Sequence, residues 1–330
     1  MAGMNYRLFG NTGLQVSEIG LGCSNLGGGF FSKDNRESIR VLNLAFEQGI
    51  NFFDTADSYG YGHSEELVGR TFKNRRNKII IASKVGMLPS SLAHIGKQFL
   101  PILHPLRPLL QPWKGALKSI SKLRQNFSPA YITQAVEQSL RRLHTDYLDL
   151  YQLHNPPTSV LQRGEVFNTL DDLRHQGKIR FYGVSAHTIC DALLCLRYSN
   201  ISSLQVVFNL LEQEAVEDLF PQIAKHGIAL IARVPLARGL LTNKMVIQMG
   251  RTLGGRQEQE GRRKVKELSF LERNGTRTIA QAAILFVLRH PQISVVIPGT
   301  RKTKHLEENI GALKVPPLTV EELKKINIVL

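Results

Sequence analysis

The sequence is poor in cysteine and has no long apolar run, and both shortages exclude classes of protein. Its three cysteines in 330 residues lack the spacing of zinc ligands. Their odd number in so long a chain predicts reduced thiols and a cytoplasmic protein rather than a disulfide framework. The amino terminus, MAGMNYRLFGNTG, has no apolar signal segment. Since no apolar run reaches the roughly eighteen residues of a membrane helix, we expect no membrane span.

Acidic residues are also scarce, because 27 Asp and Glu stand against 42 Lys and Arg and leave a formal net charge of +15. An excess of positive charge favours acidic partners, which include a phosphorylated cofactor, a nucleic acid and an anionic membrane surface. The charge alone does not choose between them. The sequence contains no recognised nucleic-acid-binding module and no interleaved aromatic platform, so we do not expect nucleic acid as a partner.

A further absence concerns the fold. The turn GLGCSNLGGGFF after the first strand lacks the G-x-G-x-x-G spacing of a doubly wound dinucleotide-binding sheet. The chain instead repeats one pattern, in which an amphipathic helix ends near a glycine and a short apolar strand follows, as in AFEQGINFFDT, LRHQGKIRFYGVS and IAKHGIALIARVP. Further strands of this kind are EIGLGCS, KIIIASKVG, YLDLYQLH, LQVVFN and SVVIPGT.

Helical stretches lie between and after these eight strands, at 36–48, 63–73, 129–143, 162–176, 188–198, 214–226, 277–290 and 302–312. Eight alternating strand–helix units predict an α/β protein with a single (β/α)8 TIM barrel, a fold of typically ~250 residues plus insertions. We expect one domain over residues 1–330. The opening YRLFGNTGLQVSEIG predicts a short hairpin around Gly10 and Gly13 that caps the barrel floor.

Two basic segments interrupt the repeat: a long inserted loop at 86–127, after the third strand, and a second variable loop at 243–275, after the seventh. The first contains six Lys or Arg, no Asp or Glu and five prolines. Since both follow strands, both are expected on the face of the barrel where active sites are built. The insertion is compatible with a solvated surface, with a lid over the site and with a membrane- or partner-binding segment.

Ionisable side chains occur at the ends of neighbouring strands, which a barrel brings into one mouth. The second strand ends at Asp54, with Tyr59 in the loop beyond it. The third strand ends near Lys84 and the fourth at His154. Each residue alone has a structural interpretation, such as a helix cap, a packed aromatic or a buried histidine. Four of them at one mouth favour a proton-transfer site.

The segments FFDTADSYG, ASKVG, LYQLH, YGVS, VVIPGT and LEENIGAL resemble the aldo-keto reductase superfamily, in the same order, from about residue 6 to 315. The likeness is to bacterial-type, NADPH-dependent members. It implies a (β/α)8 barrel that binds NADPH without a Rossmann domain and without a metal ion. It also implies a catalytic tetrad, which here would consist of Asp54, Tyr59, Lys84 and His154.

The chemistry implied by the resemblance is the transfer of a hydride to a carbonyl carbon, with Tyr59 giving a proton to the oxygen. Tyrosine is a poor acid with a pKa near ~10, and the Lys84 ammonium is expected to lower that pKa by favouring the phenolate. Asp54 would hold Lys84 in place by an ion pair. His154 would donate a hydrogen bond to the substrate oxygen.

The cofactor site also follows from the resemblance. Ser185 and Gln205 would bind the nicotinamide carboxamide, although Ala186 replaces an asparagine that many relatives have next to that serine. Arg233 stands where many relatives place a stacked tyrosine, and a guanidinium stacks on rings or pairs with phosphate. The other expected contacts are Cys23 and Gly299; Pro235, Leu236, Arg238 and Lys244 at the pyrophosphate; Thr300, Arg301 and Lys302 at a 2′-phosphate near a helix N-terminus; and His305, Glu308 and Asn309 at the adenosine.

The expected function is therefore NADPH-dependent reduction of an aldehyde or ketone. An apolar mouth with a cationic rim would suit a bulky carbonyl compound, and its expected lining is Phe30, Phe31, Met87 and Asn155. Two alternatives stay open: an alcohol or sugar dehydrogenase that runs the reaction in reverse, and a cofactor-sensing subunit similar to the potassium-channel β subunits. Those subunits lack a histidine at the position of His154, so its presence favours catalysis. The substrate, the reaction direction and the oligomeric state stay open.

Overall fold

The computed structural model describes residues 3–26, 35–88, 124–242, 256–273 and 275–329. Its strands are β1 (Tyr6–Leu8), β2 (Gln15–Ser17), β3 (Leu21–Gly22), β4 (Phe52–Asp54), β5 (Ile80–Val85), β6 (Met87–Leu88), β7 (Arg124–Gln125), β8 (Leu148–His154), β9 (Ile179–Ser185), β10 (Ser203–Val207), β11 (Ala229–Arg233) and β12 (Ile293–Ile297). Its helices are α1 (Arg36–Glu47), α2 (His63–Phe72), α3 (Pro129–Leu143), α4 (Thr158–Arg163), α5 (Glu165–His175), α6 (Ile189–Cys195), α7 (Ala215–His226), α8 (Arg256–Glu267), α9 (Ile279–Leu288), α10 (Thr303–Gly311) and α11 (Val320–Val329).

Eight parallel strands form one sheet in the order β3, β4, β5, β8, β9, β10, β11, β12. Parallel bridges from Ile19 to Val296 and from Gly22 to Gly299 link its two edges, so the sheet curls into a nearly closed barrel. Helices connect the strands on the outside, as right-handed crossovers require. The predicted (β/α)8 barrel is confirmed.

Side chains of each strand alternate between the inside and the outside of the barrel wall, because successive residues of a strand point to opposite faces. In β4, Phe52 packs in an inner cluster with Ile80 and Ala82, whereas Phe53 packs in the outer cluster formed with the helices. The hairpin of β1 and β2 covers the floor, where the rings of Phe9 and Phe52 lie 5.6 Å apart between centroids. The predicted amino-terminal hairpin is therefore confirmed.

Glycine follows α1, α5 and α7 before the next strand, as the repeat predicts, whereas α3 ends at His144 with φ of +51°. Gly227 ends α7 with φ of +64°, and Gly49 follows α1 with φ of +91°. Glycine adopts this left-handed conformation without the steric cost that a Cβ would add. The next strand can therefore start at once.

Some segments differ from the predicted pattern. The predicted helix 162–176 is two helices, α4 and α5, because Gly164 has φ of +73° and ends the first. Residues 320–329 form an additional helix, α11. None of the helices in the described ranges combines the length and the apolar character that a membrane crossing requires.

Most of the two basic segments lies outside the described residues. Residues 86–127 begin and end in an antiparallel pair of β6 with β7, and residues 89–123 between these strands lie outside the described residues. Within 243–275, residues 256–267 form the charged helix α8, and 243–255 again lie outside. Glu260 and Lys264, one turn apart on α8, form an ion pair.

The floor of the barrel contains a buried carboxylate with several partners. Asp149, near the start of β8, accepts from Arg76 at 2.7 Å and from Arg180 at 2.8 Å. It also accepts from the backbone N–H of Ile81 at 2.9 Å. Both carboxylate oxygens are therefore hydrogen-bonded, as a buried charge requires.

Candidate active site

Side chains from three neighbouring strands converge at the carboxyl end of the barrel. Asp54 ends β4, Lys84 is the fifth residue of β5, and Lys84 Nζ lies 2.5 Å from Asp54 Oδ1. Tyr59 lies in the loop between β4 and α2, with its hydroxyl 3.3 Å from Lys84 Nζ. His154 ends β8, and its ring meets the Tyr59 ring edge-on with centroids 5.8 Å apart. The fold thus brings the four predicted tetrad residues together.

Lys84 is fully buried, and its ammonium is held by three acceptors. Besides Asp54 and Tyr59, the backbone oxygen of Thr55 accepts from Nζ at 2.9 Å. Burial opposes the charge, but the attraction of Asp54 and Tyr59 outweighs it and raises the pKa of Lys84 above its usual value. Lys84 therefore stays charged over the working pH range.

Asp54 also receives two amide donors at its other oxygen. Gln205 Nε2 donates to Oδ2 at 2.8 Å, and Gln152 Nε2 lies 3.4 Å from the same atom. Ser185 Oγ in turn donates to Gln205 Oε1 at 2.9 Å. The predicted cofactor residues Ser185 and Gln205 are thus linked directly to the tetrad. Gln152 was not predicted, although its position two residues before His154 on β8 puts both side chains on the same face of that strand.

The pKa of Tyr59 is raised rather than lowered. Burial of the phenol is the largest cause, and the charges of Lys84 and Arg233 only partly offset it. The expectation that Lys84 lowers this pKa is therefore correct for the direction of its own effect and wrong for the net result. Tyr59 keeps its proton at neutral pH.

His154 is neutral. Burial lowers its pKa to about 3, and the nearby charges of Lys84 and Arg233 add to this effect. Its Nδ1 atom is closed off from solvent and has no hydrogen-bond partner among the described residues. A neutral imidazole carries one N–H, which is available to an acceptor in the mouth.

Arg233 is a cation without an anionic partner among the described residues. Its Nη2 donates to the backbone oxygen of Ala186 at 3.1 Å and to Asn155 Oδ1 at 3.4 Å, while its Nε is buried and unpaired. Burial lowers its pKa. A buried guanidinium that binds only neutral oxygens fits a bound anion or an aromatic ring. This end of β11 therefore suits the predicted cofactor.

The loop after β11 contains three of the predicted pyrophosphate residues. Pro235 is buried, Leu236 packs against the core, and Arg238 is exposed. Arg238 has φ of +57°, and its Nη1 lies 3.2 Å from each carboxylate oxygen of Glu212. Lys244 lies outside the described residues.

The segment from Gly299 to α10 presents exposed basic side chains. Arg301 and Lys302 are exposed and make no ion pair with a carboxylate of the described residues. The helix N-terminus itself is occupied, since the backbone N–H and the hydroxyl of Thr303 both donate to Glu37 Oε1 at 3.1 Å. A phosphate here would therefore rely on the two side chains more than on free backbone N–H groups. Of the other residues predicted here, Thr300 and Asn309 are buried, Gly299 is exposed, and His305 and Glu308 are half-buried.

The remaining predicted residues divide between the core and the rim. Cys23 is buried beneath the site, its thiol donates to the backbone oxygen of Leu21, and burial raises its pKa. Met87 and Asn155 are joined at the rim by Gln125, which donates to Met87 Sδ and to the Asn155 backbone oxygen. Phe30 and Phe31 lie outside the described residues. No group of three His, Cys, Asp or Glu side chains in the described ranges is placed to hold a metal ion.

Known proteins have sequences and folds similar to those of this chain. A model of the aldo/keto reductase family matches residues 18–330. The chain belongs to the aldo/keto reductase family. Proteins of this family are oxidoreductases. The uncharacterized oxidoreductase YqkF from Bacillus subtilis is 32% identical over 331 residues, which cover 97% of this chain and 95% of that protein.

Solved structures of aldo/keto reductases have the same fold. The holo form of aldo-keto reductase AKR11C1 from Bacillus halodurans is 31% identical, with a TM-score of 0.78 over 99% of this chain and 96% of that one. An aldo-keto reductase from Klebsiella pneumoniae in complex with NADPH is 25% identical, with a TM-score of 0.71 over 98% of this chain and 94% of that one.

Proposed function

We propose that this aldo/keto reductase reduces a carbonyl compound to an alcohol with NADPH, and that Tyr59 gives the proton. The observation that carries the proposal is the position of Lys84 Nζ, which contacts both Asp54 and the Tyr59 hydroxyl at the barrel mouth. Asp54 fixes the ammonium and the ammonium faces the phenol. This arrangement is that of an acid and the cation that stabilises its conjugate base.

Tyr59 fits the role of a general acid. Its raised pKa keeps the proton on the phenol until a carbonyl oxygen begins to gain negative charge. The phenolate left behind would lie beside Lys84, with Arg233 as a second positive charge nearby. Preorganised cations of this kind stabilise the charge that develops in the transition state.

His154 would orient the substrate. Because its ring is neutral, it can donate an N–H to the carbonyl oxygen without competing for the proton. The edge-on contact, with ring centroids 5.8 Å apart, supports a role for both side chains at the same carbonyl oxygen. The presence of this histidine also favours catalysis over a purely cofactor-sensing role.

NADPH is the cofactor that these residues fit. Ser185, Gln205 and Arg233 would hold the nicotinamide, which when bound supplies the hydride to the carbonyl carbon. Arg238, Pro235 and Leu236 would contact the pyrophosphate, and the unpaired cations Arg301 and Lys302 would contact the 2′-phosphate. The NADPH complex of the Klebsiella pneumoniae relative supports this choice. Met87 and Asn155 at the rim would contact a bulky carbonyl substrate.

The test is a panel of small aldehydes, sugars, aromatic ketones and larger ketones, assayed with NADPH and with NADH. We expect turnover with NADPH and a lower kcat/KM with NADH. Tyr59→Phe should lose turnover by about 10²–10⁴-fold while keeping its affinity for NADPH. Tyr147→Phe is the matched control, since this phenol lies at the other end of the barrel, where its ring contacts Arg76.

The outcomes separate the alternatives. Unchanged turnover in Tyr59→Phe would rule out its role as the acid. Tight NADPH binding without turnover of any carbonyl or alcohol would favour a sensing subunit instead. Turnover only with alcohols and NADP⁺ would assign the reverse reaction to the same residues.

A further inference from the structure

A second cluster of ionisable side chains lies behind the loop that carries Tyr59. Its centre is Glu65 of α2, which is fully buried. Ser83 Oγ donates to Glu65 Oε1 at 2.5 Å, and Arg142 Nε donates to Glu65 Oε2 at 2.7 Å. Within the described ranges, Arg142 is the guanidinium that pairs with Glu65.

Asp57 joins the cluster from the Tyr59 loop. The hydroxyl of Tyr131, on α3, donates to Asp57 Oδ2 at 3.4 Å, and the Asp57 backbone N–H donates to the Lys84 backbone oxygen at 3.3 Å. Asp57 Oδ1 is closed off from solvent and has no partner among the described residues. The hydroxyl of Tyr151, on β8, is in the same state and interacts electrostatically with Asp57.

The charges around Asp57 do not balance if it ionises. It faces Glu65 from α2, Tyr131 and Arg142 from α3, and Tyr151 from β8. Two carboxylates would then share one guanidinium, and Arg142 already serves Glu65. Burial raises the pKa of Asp57 to about 8, and the negative charge of Glu65 adds to the effect. Arg142 and the hydrogen bonds from the Ser58 backbone and Tyr131 only partly oppose it.

We propose that Asp57 is a positioning residue for Tyr59, and that it holds the loop in place only while it keeps its own proton. The inference rests on the proposed role of Tyr59. The Asp57 backbone N–H ties the loop to β5 in either charge state, and the Tyr131 hydroxyl ties the Asp57 side chain to α3. Ionised Asp57 adds a second buried negative charge near Glu65, with Oδ1 unpaired among the described residues, and this repulsion draws the loop towards water. The Tyr59 hydroxyl, which lies 3.3 Å from Lys84 Nζ, then loses its alignment.

The first test is the pH dependence of kcat in the full-length enzyme. The wild type should lose about tenfold in kcat for each pH unit above ~8, because only the protonated form holds Tyr59. Asp57→Asn keeps the shape and cannot ionise, so it should keep the neutral-pH rate and lack this alkaline decline. Tyr131→Phe removes a donor to the carboxylate and should move the decline to higher pH. An alkaline decline that is identical in the wild type and in Asp57→Asn would overturn the proposal.

The second test needs no substrate. Infrared difference spectra of the wild type minus Asp57→Asn should contain the carbonyl stretch of a protonated carboxylic acid at pH 7, and this band should fall to about half its intensity near pH 8. Absence of the band at pH 7 would overturn the inference even in an active enzyme. Presence of the band in a protein without reductase activity would instead count against the proposed function and leave the proton on Asp57 established.

Discussion

Asp149 at the floor of the barrel and Asp54 at its mouth are both buried carboxylates, but they differ in what surrounds them. Asp149 uses both oxygens on two arginines and one backbone N–H. Asp54 holds Lys84, and Lys84 in turn reaches a phenol that can release a proton. At the floor, the Asp149 carboxylate pairs with arginines that join strands to their connections. At the mouth, the Lys84 ammonium lies next to an acid, the Tyr59 hydroxyl.

His290 can be compared with His154, because each has a ring nitrogen that is closed off from solvent and unpaired among the described residues. His290, before β12, lies among the rings of Phe208, Phe220 and Phe286, and burial lowers its pKa to about 4. His154 lies against Tyr59 instead. Burial thus keeps both imidazoles neutral. They differ in their neighbours, because only His154 lies beside an ionisable phenol. The same physical effect accompanies packing among phenylalanine rings at His290 and, in the proposed function, orientation of the substrate at His154.

The largest expected effect is at Lys84. Lys84→Met should lower kcat by about 10²–10⁴-fold, since Tyr59 loses the cation beside it. It should also destabilise the fold by about 3–5 kcal/mol, because Asp54 is left buried without its partner. The double variant Asp54→Asn/Lys84→Met should regain stability in urea unfolding, but its turnover should not return. Recovery of turnover in the double variant would break the distinction between mouth and floor.

A substitution at the floor should lower the stability of the fold without lowering kcat. Asp149→Ala leaves Arg76 and half-exposed Arg180 without their carboxylate, so we expect a loss of about 3 kcal/mol in the free energy of unfolding. The kcat of the folded enzyme should stay unchanged. Asp146→Ala, at an exposed neighbouring position, is the control and should change stability by less than about 0.5 kcal/mol. A large fall in kcat of Asp149→Ala would contradict the comparison.

The smallest effect separates the two histidines by pH. A histidine whose folded pKa lies below its unfolded value of about 6.5 contributes stability above that value, and this stability is lost as the pH falls towards the folded pKa. The stability of His154→Gln and of His290→Gln should therefore fall less than that of the wild type as the pH decreases from 6.5 to about 4. Only His154→Gln should also lower kcat at neutral pH. Thermal unfolding at several pH values and one steady-state assay measure both.

Much of the barrel and of the tetrad is predictable from the sequence, because their causes are local. Apolar runs after glycines predict the strands, and a residue that ends such a run must lie at the mouth once the barrel closes. Asp54, Lys84 and His154 meet for this reason. Gly164 was missed as a helix break; a Cβ there would lie 2.6 Å from the Tyr198 hydroxyl, a contact with a distant part of the chain.

Contacts between distant segments were not predictable in this way. The carboxylate of Glu37 occupies the N-terminus of α10, although 266 residues separate it from Thr303. Gln152 joins Gln205 at Asp54, and the Asp57 cluster combines one loop, two helices and two strands. No periodicity along the chain reports which polar side chains of different elements will meet.

Local patterning and short motifs are enough to predict the order of strands and helices, the family and the residue types at the mouth. The protonation states of the buried groups depend on the tertiary structure. Tyr59 and Asp57 keep their protons and His154 stays neutral because folding removes water from these groups and chooses which charges remain beside them. Desolvation is a property of the packed protein, because it arises when segments far apart along the chain come together.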